Sequence, residues 1–498
     1  MIERWAVLAW VAVGCAGDDA KTDTDDADAD ADADTDADTD ADSDSDADSD
    51  TDTDTDTDTD ADTDPPPPVD IADALTAVPG MLSVVELGDP AVDPRSFALV
   101  FEQPVDHGDP SRGTFEQHLT LVHVAEAEPM TFVSTGYADY LGTSIQEPTD
   151  LFDTNQLVIE KRYHNLSRPD PVDWTTMTLE QIAADQHAVR EALGAIYVGP
   201  WLSTGASMGG ADAVYYHYYW PNDMAGTIAY VAPFQLEYRD QRYPTWFATV
   251  PDPTCQAALE AVQVGLLGTH RDEVLAILEA NPYGYTTNRI GGIEPALEAT
   301  VLDLAWSFWQ YAGIDYCGDV PDAATADAAT LVDFYWLYGY GLYYGSDQAL
   351  DFFDPYYWQV QTELGPPAMP QDHLVGLVTP DGVDAEAGMI PVDAPPPIFV
   401  ARNPPVVDWV ESSADRMVFV YGELDPWTAG GITGASNPAI QVYTLASGNH
   451  GAAVELLPTP ERDAAWATVA GWLGVAPPVI HPAPATRSSR SGPPGWGG

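Results

Sequence analysis

Basic side chains are scarce in this chain: 17 lysines and arginines stand against 80 aspartates and glutamates over 498 residues, a formal charge of −63. With no basic stripe to release counterions from phosphate, nucleic acid and anionic membrane surfaces are excluded as partners. Cysteine is nearly absent too, at three residues. No Cys/His cluster with zinc-ligand spacing, no Walker loop and no Gly-x-Gly-x-x-Gly after a strand occurs, so no metal and no cofactor is expected. Long apolar runs are missing, and the stretch from Trp5 to Val13 is too short to span a bilayer as a helix. What is present suffices for a packed core, since 45% of the residues are hydrophobic and 10% aromatic.

The charge is unevenly spread. Residues 18–64 hold 24 aspartates and one lysine, a charge of −23, which leaves −40 for the rest. From Asp26 to Asp64 Asp alternates with Ala, Thr or Ser, and the run gives way to Pro65–Pro68. Nothing in it can bury a core, and self-repulsion favours an extended tether. The tether is assigned to residues 16–68; at about 3.3–3.6 Å per residue, the 47 residues of 18–64 reach at most roughly 160 Å. Before it, the apolar run ends in Ala12-Val13-Gly14-Cys15, which resembles a bacterial lipobox. Residues 1–15 therefore read as a signal peptide whose Cys15 would carry a lipid anchor, or failing that as an ordinary secretion signal. Either way the chain is expected to be exported, touching membrane only through the anchor. Cys255 and Cys317 are then left to pair in an oxidising compartment, the alternative being two separate buried thiols. Residues 477–498, rich in Pro, Gly, Ser and Arg, read as a disordered tail.

Folded sequence is expected over residues 69–476. Strand-like runs are Ser96 to Phe101, His118 to Val124, Thr131 to Ser134, Leu157 to Lys161, Pro200 to Thr204, Thr227 to Val231, Met417 to Tyr421 and Gln441 to Leu445. Thr178 with Gln181 reads as a capping box opening a helix to Leu193, and Thr459-Pro460 as the N-cap and first residue of the last helix. Strands alternating with helices imply a mainly parallel sheet covered on both faces. A long stretch between residues 207 and 425 exceeds any strand-helix-strand connection, so a second, mostly helical unit is expected at residues 235–395, between core segments 69–234 and 396–476. Amphipathic stretches at Gln256 to Leu267 and Leu297 to Tyr311 support it, as does an aromatic run from Phe334 to Trp358 that reads either as a peptide-binding wall or as core.

The chemistry starts at Ser203-Thr-Gly-Ala-Ser-Met-Gly-Gly210. A Gly-x-Ser-x-Gly turn between a strand and a helix projects a serine hydroxyl into a site, which nominates Ser207 as nucleophile. A hydroxyl needs a base, and His450, in the Gly-flanked loop after the last strand, is the histidine placed to supply one. Asp425, held by Pro426-Trp427 after the preceding strand, suits the carboxylate that orients the imidazole; Glu423 and Asp415 are its rivals. Ser, Asp, His is the order α/β-hydrolases use. Oxyanion donors are then expected at the backbone N–H of Met208, after the nucleophile, and of Tyr137 in the Thr135-Gly136-Tyr137 loop. Arg162 and Arg168 read as lining residues or as structural ion-pair partners.

With these residues in view, the chain resembles the secreted tripeptidyl aminopeptidases, bacterial serine exopeptidases of the α/β-hydrolase fold distantly similar to the lysosomal prolyl carboxypeptidases. The likeness rests on Gln103-Pro104-Val105-Asp106-His107, Gly113-Thr114-Phe115, Arg162-Tyr163-His164, Ser167-Arg168-Pro169, Ala184-Asp185-Gln186-His187, the Ser207 turn, Tyr230-Val231-Ala232-Pro233, Phe308-Trp309-Gln310-Tyr311 and Tyr421-Gly422-Glu423-Leu424-Asp425-Pro426-Trp427. It implies an α/β-hydrolase with a helical lid, a triad of Ser207, Asp425 and His450, no cofactor, and removal of tripeptides from peptides with free N-termini. Met208 stands where the family commonly has Lys, and an acidic residue often seen just before Gly136-Tyr137 is missing. An exopeptidase must also bind the substrate's α-ammonium group, for which Glu237 and Asp240 are candidates. A lipase or esterase with the same triad, and a non-catalytic peptide-binding lipoprotein, are the alternatives.

Overall fold

The computed structural model describes residues 69–89, 94–280, 283–379 and 388–478, which fall within one compact unit. The signal segment, Cys15 and the tether lie outside the described residues, as does the tail beyond residue 478. Among the described residues no helix is long and apolar enough to cross a membrane.

Nine strands form one sheet: β1 (Met81–Leu87), β2 (Arg95–Pro104), β3 (Thr114–His123), β4 (Met130–Ser134), β5 (Asn155–Ile159), β6 (Trp201–Ala206), β7 (Gly226–Tyr230), β8 (Met417–Gly422) and β9 (Gln441–Leu445). Their order is β1-β2-β3-β5-β4-β6-β7-β8-β9. The first three pairings are antiparallel and the other five parallel. Strands β4, β5, β7 and β8 are buried at every position, because helices cover both faces, and so they show no alternation of buried and exposed residues. This is the α/β-hydrolase architecture. Strand β1 was not foreseen in the sequence: it is an edge strand with a register shift between Met81 and Ser83, and Leu82 and Val85 face solvent, so its apolar spacing lacks a clean period of two.

The main helices are α1 (Leu179–Leu193), α2 (Met208–Tyr219), α3 (Pro253–Val264), α4 (Ile293–Leu302), α5 (Ala328–Tyr338), α6 (Asp347–Gln359), α7 (Asn403–Ser412) and α8 (Thr459–Leu473). At the start of α1, Thr178 Oγ1 accepts the Gln181 N–H at 3.3 Å, but the Gln181 side chain turns instead to Asp106 and to the His107 N–H, so only half of the capping box forms. The last helix starts one residue earlier than expected. Pro458 is its N-cap, Thr459 is already helical, and no side chain caps it. The stretch expected to be one helix from Leu297 to Tyr311 is a relay: α4 ends at Leu302, a short turn spans Leu304–Ser307, and a wider-wound π turn covers Phe308–Ala312 before Gly313.

Helix α8 packs Trp466, Val469 and Leu473 against Ile228, Val418 and Val420 of β7 and β8. On the other face, α2 and α7 bring Val214, Tyr215, Val406 and Val410 to Ala229 and Phe419. At about 1.5–3 kcal/mol for each large side chain taken out of water, these layers fix the sheet on which the site is built. Between β7 and β8, α3 to α5 gather around a separate cluster that includes Leu259, Val301, Phe308, Trp309, Leu331 and Tyr335, and that takes in Leu424 from the loop after β8. Cys255 and Cys317 form a disulfide within this region.

Candidate active site

Strand β6 ends in a turn that few residues adopt. Ser207 has φ 57° and ψ −124°, a region costly for any side chain but glycine, by about 1–3 kcal/mol. The turn is held by the Ser207 N–H on the Tyr230 carbonyl at 2.9 Å and by the Ser207 carbonyl accepting from the Ala211 N–H at 3.0 Å. Its small neighbours are obligatory. A Cβ on Gly209 would sit 2.1 Å from the Ser134 carbonyl oxygen. A half-buried serine is thereby fixed at the carboxyl end of a central parallel strand, at the N-terminus of α2.

Two further parallel strands deliver the acid and the histidine to that edge. Asp425 follows β8 and is fully buried; its Oδ1 accepts the Trp427 N–H at 3.1 Å. His450 follows β9, and its Nδ1 lies 2.7 Å from Asp425 Oδ2. A carboxylate only accepts, so Nδ1 carries the proton and Nε2 is the nitrogen left free to take one from a hydroxyl. Strands β6, β7, β8 and β9 are successive neighbours, all parallel, which puts residues 207, 425 and 450 at one edge of the sheet. Asp425 and His450 are in contact, whereas Ser207 makes no hydrogen bond to the imidazole. In unliganded hydrolases such bonds are often long and tighten with substrate. The rivals for the acid are elsewhere: Glu423 is exposed and accepts the Ser447 N–H at 2.8 Å, and Asp415 pairs with Arg416 at 3.0 Å.

The loop after β4 lies directly against the serine turn. Gly136 has φ +77°, and a Cβ there would come 2.4 Å from the Gly209 nitrogen and 2.8 Å from the Met208 carbonyl carbon. Met208, in the first turn of α2, has an N–H with no intrahelical acceptor. The Tyr137 N–H rests on Thr135 Oγ1 at 3.3 Å, a long contact within its own loop, so an incoming oxyanion would displace a weak partner.

Charges beneath this edge are paired. Lys161 meets Asp212 of α2 at 3.1 Å with both side chains buried. Arg162 grips Asp185 through two bonds of 2.6 Å and donates to the Val105, Thr176 and Pro104 carbonyls, which makes it a structural clamp. Arg168 lies over the Trp174 ring, 5.2 Å from its centroid.

Sequence reasoning missed what the segment before Gly313 does. The Gln310 carbonyl accepts the His450 N–H at 3.0 Å, the Tyr311 carbonyl accepts from Asn449 Nδ2 at 2.9 Å, and the Tyr311 ring stands edge-on to the imidazole at 6.1 Å. Only pairing across more than 130 positions reveals this, and no local pattern encodes it. From Tyr311 a belt of rings runs through Tyr340, Tyr344 and Phe353 to Tyr137, each within 5.6–6.1 Å of the next. The aromatic run is thus divided: Phe334 and Tyr335 are core of the helical cluster, while Tyr340, Tyr344 and Phe353 line the belt.

Residues 64–491 match the PS-10 peptidase S37 family. The chain belongs to that family. Over 420 residues it is 38% identical to the prolyl tri/tetrapeptidyl aminopeptidase of Streptomyces mobaraensis, a span of 83% of this chain and 87% of that one. Among solved structures it is similar to the proline iminopeptidase of Mycobacterium smegmatis (TM-score 0.35, 16% identity, 79% of this chain and 98% of that one) and to VinJ (TM-score 0.34, 14% identity, 79% and 99%), likenesses too distant to bear on substrate. As an S37 peptidase the chain is an enzyme, a serine peptidase with an α/β-hydrolase fold.

Proposed function

We propose that this S37 peptidase is an exopeptidase that releases short peptides, tripeptides foremost, from free N-termini through an acyl-enzyme formed on Ser207. In this reading His450 Nε2 takes the proton of Ser207 Oγ as it attacks the scissile carbonyl, and Asp425 holds the imidazole and stabilises its charged form. The N–H groups of Met208 and Tyr137 receive the oxyanion. The proton passes to the departing amine, and water then hydrolyses the ester, freeing the N-terminal peptide and restoring Ser207.

The observation that carries the reading is the buried Asp425–His450 bond at the same sheet edge as a serine held at φ 57°. The relative from Streptomyces mobaraensis, by its name a tri/tetrapeptidyl aminopeptidase, supports the length of product. Treating defined peptides with the wild type and with Ser207→Ala, and weighing the products by mass spectrometry, tests it. Short N-terminal fragments from the wild type alone are expected; equal cleavage of free and acetylated peptides would sink the exopeptidase claim. Surface display through Cys15 and the aspartate-rich tether is proposed on sequence grounds. Metabolic palmitate labelling that survives Cys15→Ala would refute it.

A further inference from the structure

Glu237 and Asp240, the candidates for the substrate's α-ammonium group, are poorly suited to it: Glu237 is exposed, and Asp240 is committed to Arg242 at 2.7 Å and to the Leu236 N–H at 2.8 Å. A third carboxylate has a clearer task. Glu147 opens the short helix Glu147–Phe152 between β4 and β5, and its two oxygens meet donors from two distant segments. The Tyr230 hydroxyl donates to Oε2 at 2.6 Å, and the Glu455 N–H donates to Oε1. Each donor belongs to a segment that holds a triad residue. Tyr230 ends β7, and its backbone carbonyl is the acceptor, at 2.9 Å, of the Ser207 N–H. Glu455 lies five residues beyond His450, in the short turn Val454–Leu456 that follows the histidine's loop. A carboxylate suits this junction, because it only accepts, and each oxygen can take a separate donor in a charge-assisted bond.

We propose that Glu147 is a positioning residue, a two-armed clamp that fixes the loop of His450 against the turn of Ser207 and so sets the distance over which the proton is passed. This rests on the serine mechanism proposed above and adds to it what aligns its two halves. The contacts already described tie the histidine to the acid, through Asp425 Oδ2, and to the helical region, through the Gln310 carbonyl. Glu147 ties it to the serine side. Tyr230 also shares an apolar cluster with Ala452, Ala453 and Val454, which keeps the same two segments together. Such packing is non-directional, so it holds them close without fixing their register; hydrogen bonds do that. The alignment matters because a displacement of about 1 Å, caused far from the chemistry, can slow a reaction about 100-fold.

The test measures, in the full chain, the rate at which a fluorophosphonate labels Ser207, together with kcat, KM and the melting temperature. Glu147→Ala is expected to slow labelling and kcat by about thirtyfold with KM changed by less than about threefold. Its melting temperature should fall by no more than about 5 °C. Glu147→Gln, whose amide oxygen still accepts from the Glu455 N–H, should label within about fivefold of wild type. Tyr230→Phe cuts one arm and leaves the backbone carbonyl on Ser207; it should slow labelling by about fivefold, and adding it to Glu147→Ala should cost no more than about twofold further, since both act through one clamp. Labelling of Glu147→Ala within about threefold of wild type overturns the assignment, as do losses that multiply in the double variant. So does a Glu147→Ala that melts far below wild type while Tyr230→Phe labels at the full rate, because Glu147 then serves the fold. A wild type that takes no label refutes the serine mechanism and the clamp with it, whereas a labelled wild type whose rate Glu147→Ala leaves untouched refutes the clamp alone.

Discussion

The sheet side and the helical side of the site differ in what they present. On the sheet side, buried ions are partnered within the protein: Asp425 with His450, Lys161 with Asp212, and Arg162 with Asp185. On the helical side, the residues between β7 and β8 present the rings of Tyr311, Tyr340, Tyr344 and Phe353. The difference lies in how each side is held: hydrogen-bonded ion pairs fix the sheet side, and edge-to-face ring packing the helical side.

If the sheet side is a preassembled machine, its parts fail together. Ser207→Ala is expected to lower kcat by about 10⁴–10⁶-fold with little change in peptide affinity, read by single-turnover assay and calorimetry. A residual rate within tenfold of wild type would place the nucleophile elsewhere. Asp425→Asn should follow at about 10⁴-fold, because the amide either presents the wrong partner to Nδ1–H or fixes the wrong tautomer. A loss of thermal stability of the same rank would mean that Asp425 serves the fold instead.

Legibility in the sequence divides along the same line. Ser207 and its glycines were readable because a strained turn with close backbone approach leaves a local signature. Asp425 and His450 were readable because each lies in a short loop that follows a strand, the first of them an unbroken apolar run. The half-formed box at Thr178 comes from tertiary partners, Asp106 and His107, that compete with a local motif. On the helical side almost nothing local sufficed. The role of Gln310-Tyr311 depends on which distant segments meet it, and the aromatic run looks the same whether a ring is core or lining.

Stability supplies the next contrast. The disulfide between Cys255 and Cys317 closes a 62-residue separation inside the helical cluster and touches no strand. Replacing both cysteines by serine is expected to lower stability by roughly 4 kcal/mol on the chain-entropy account, read by urea unfolding. The loss should fall first on the helical side, so hydrogen exchange of α3 to α5 should quicken before that of β6 to β8. Uniform quickening would show that the two sides unfold as one cooperative block.

The smallest effect expected is also the one that probes the seam between the two sides. Tyr311→Ala removes the ring beside His450 but keeps both carbonyl contacts, since those are made by the backbone of Gln310 and Tyr311. The imidazole would keep its bond to Asp425, so proton transfer should survive. What is lost is edge-to-face packing, about 0.5–1.5 kcal/mol, and the hydroxyl that accepts from Gln310 Nε2 at 3.0 Å. The expected result is a fall in kcat/KM of about tenfold, carried mostly by KM, with Tyr311→Phe intermediate. A fall carried by kcat instead would mean that the ring positions the histidine, and the line between the ion-paired sheet side and the aromatic helical side would have to be redrawn through residue 311.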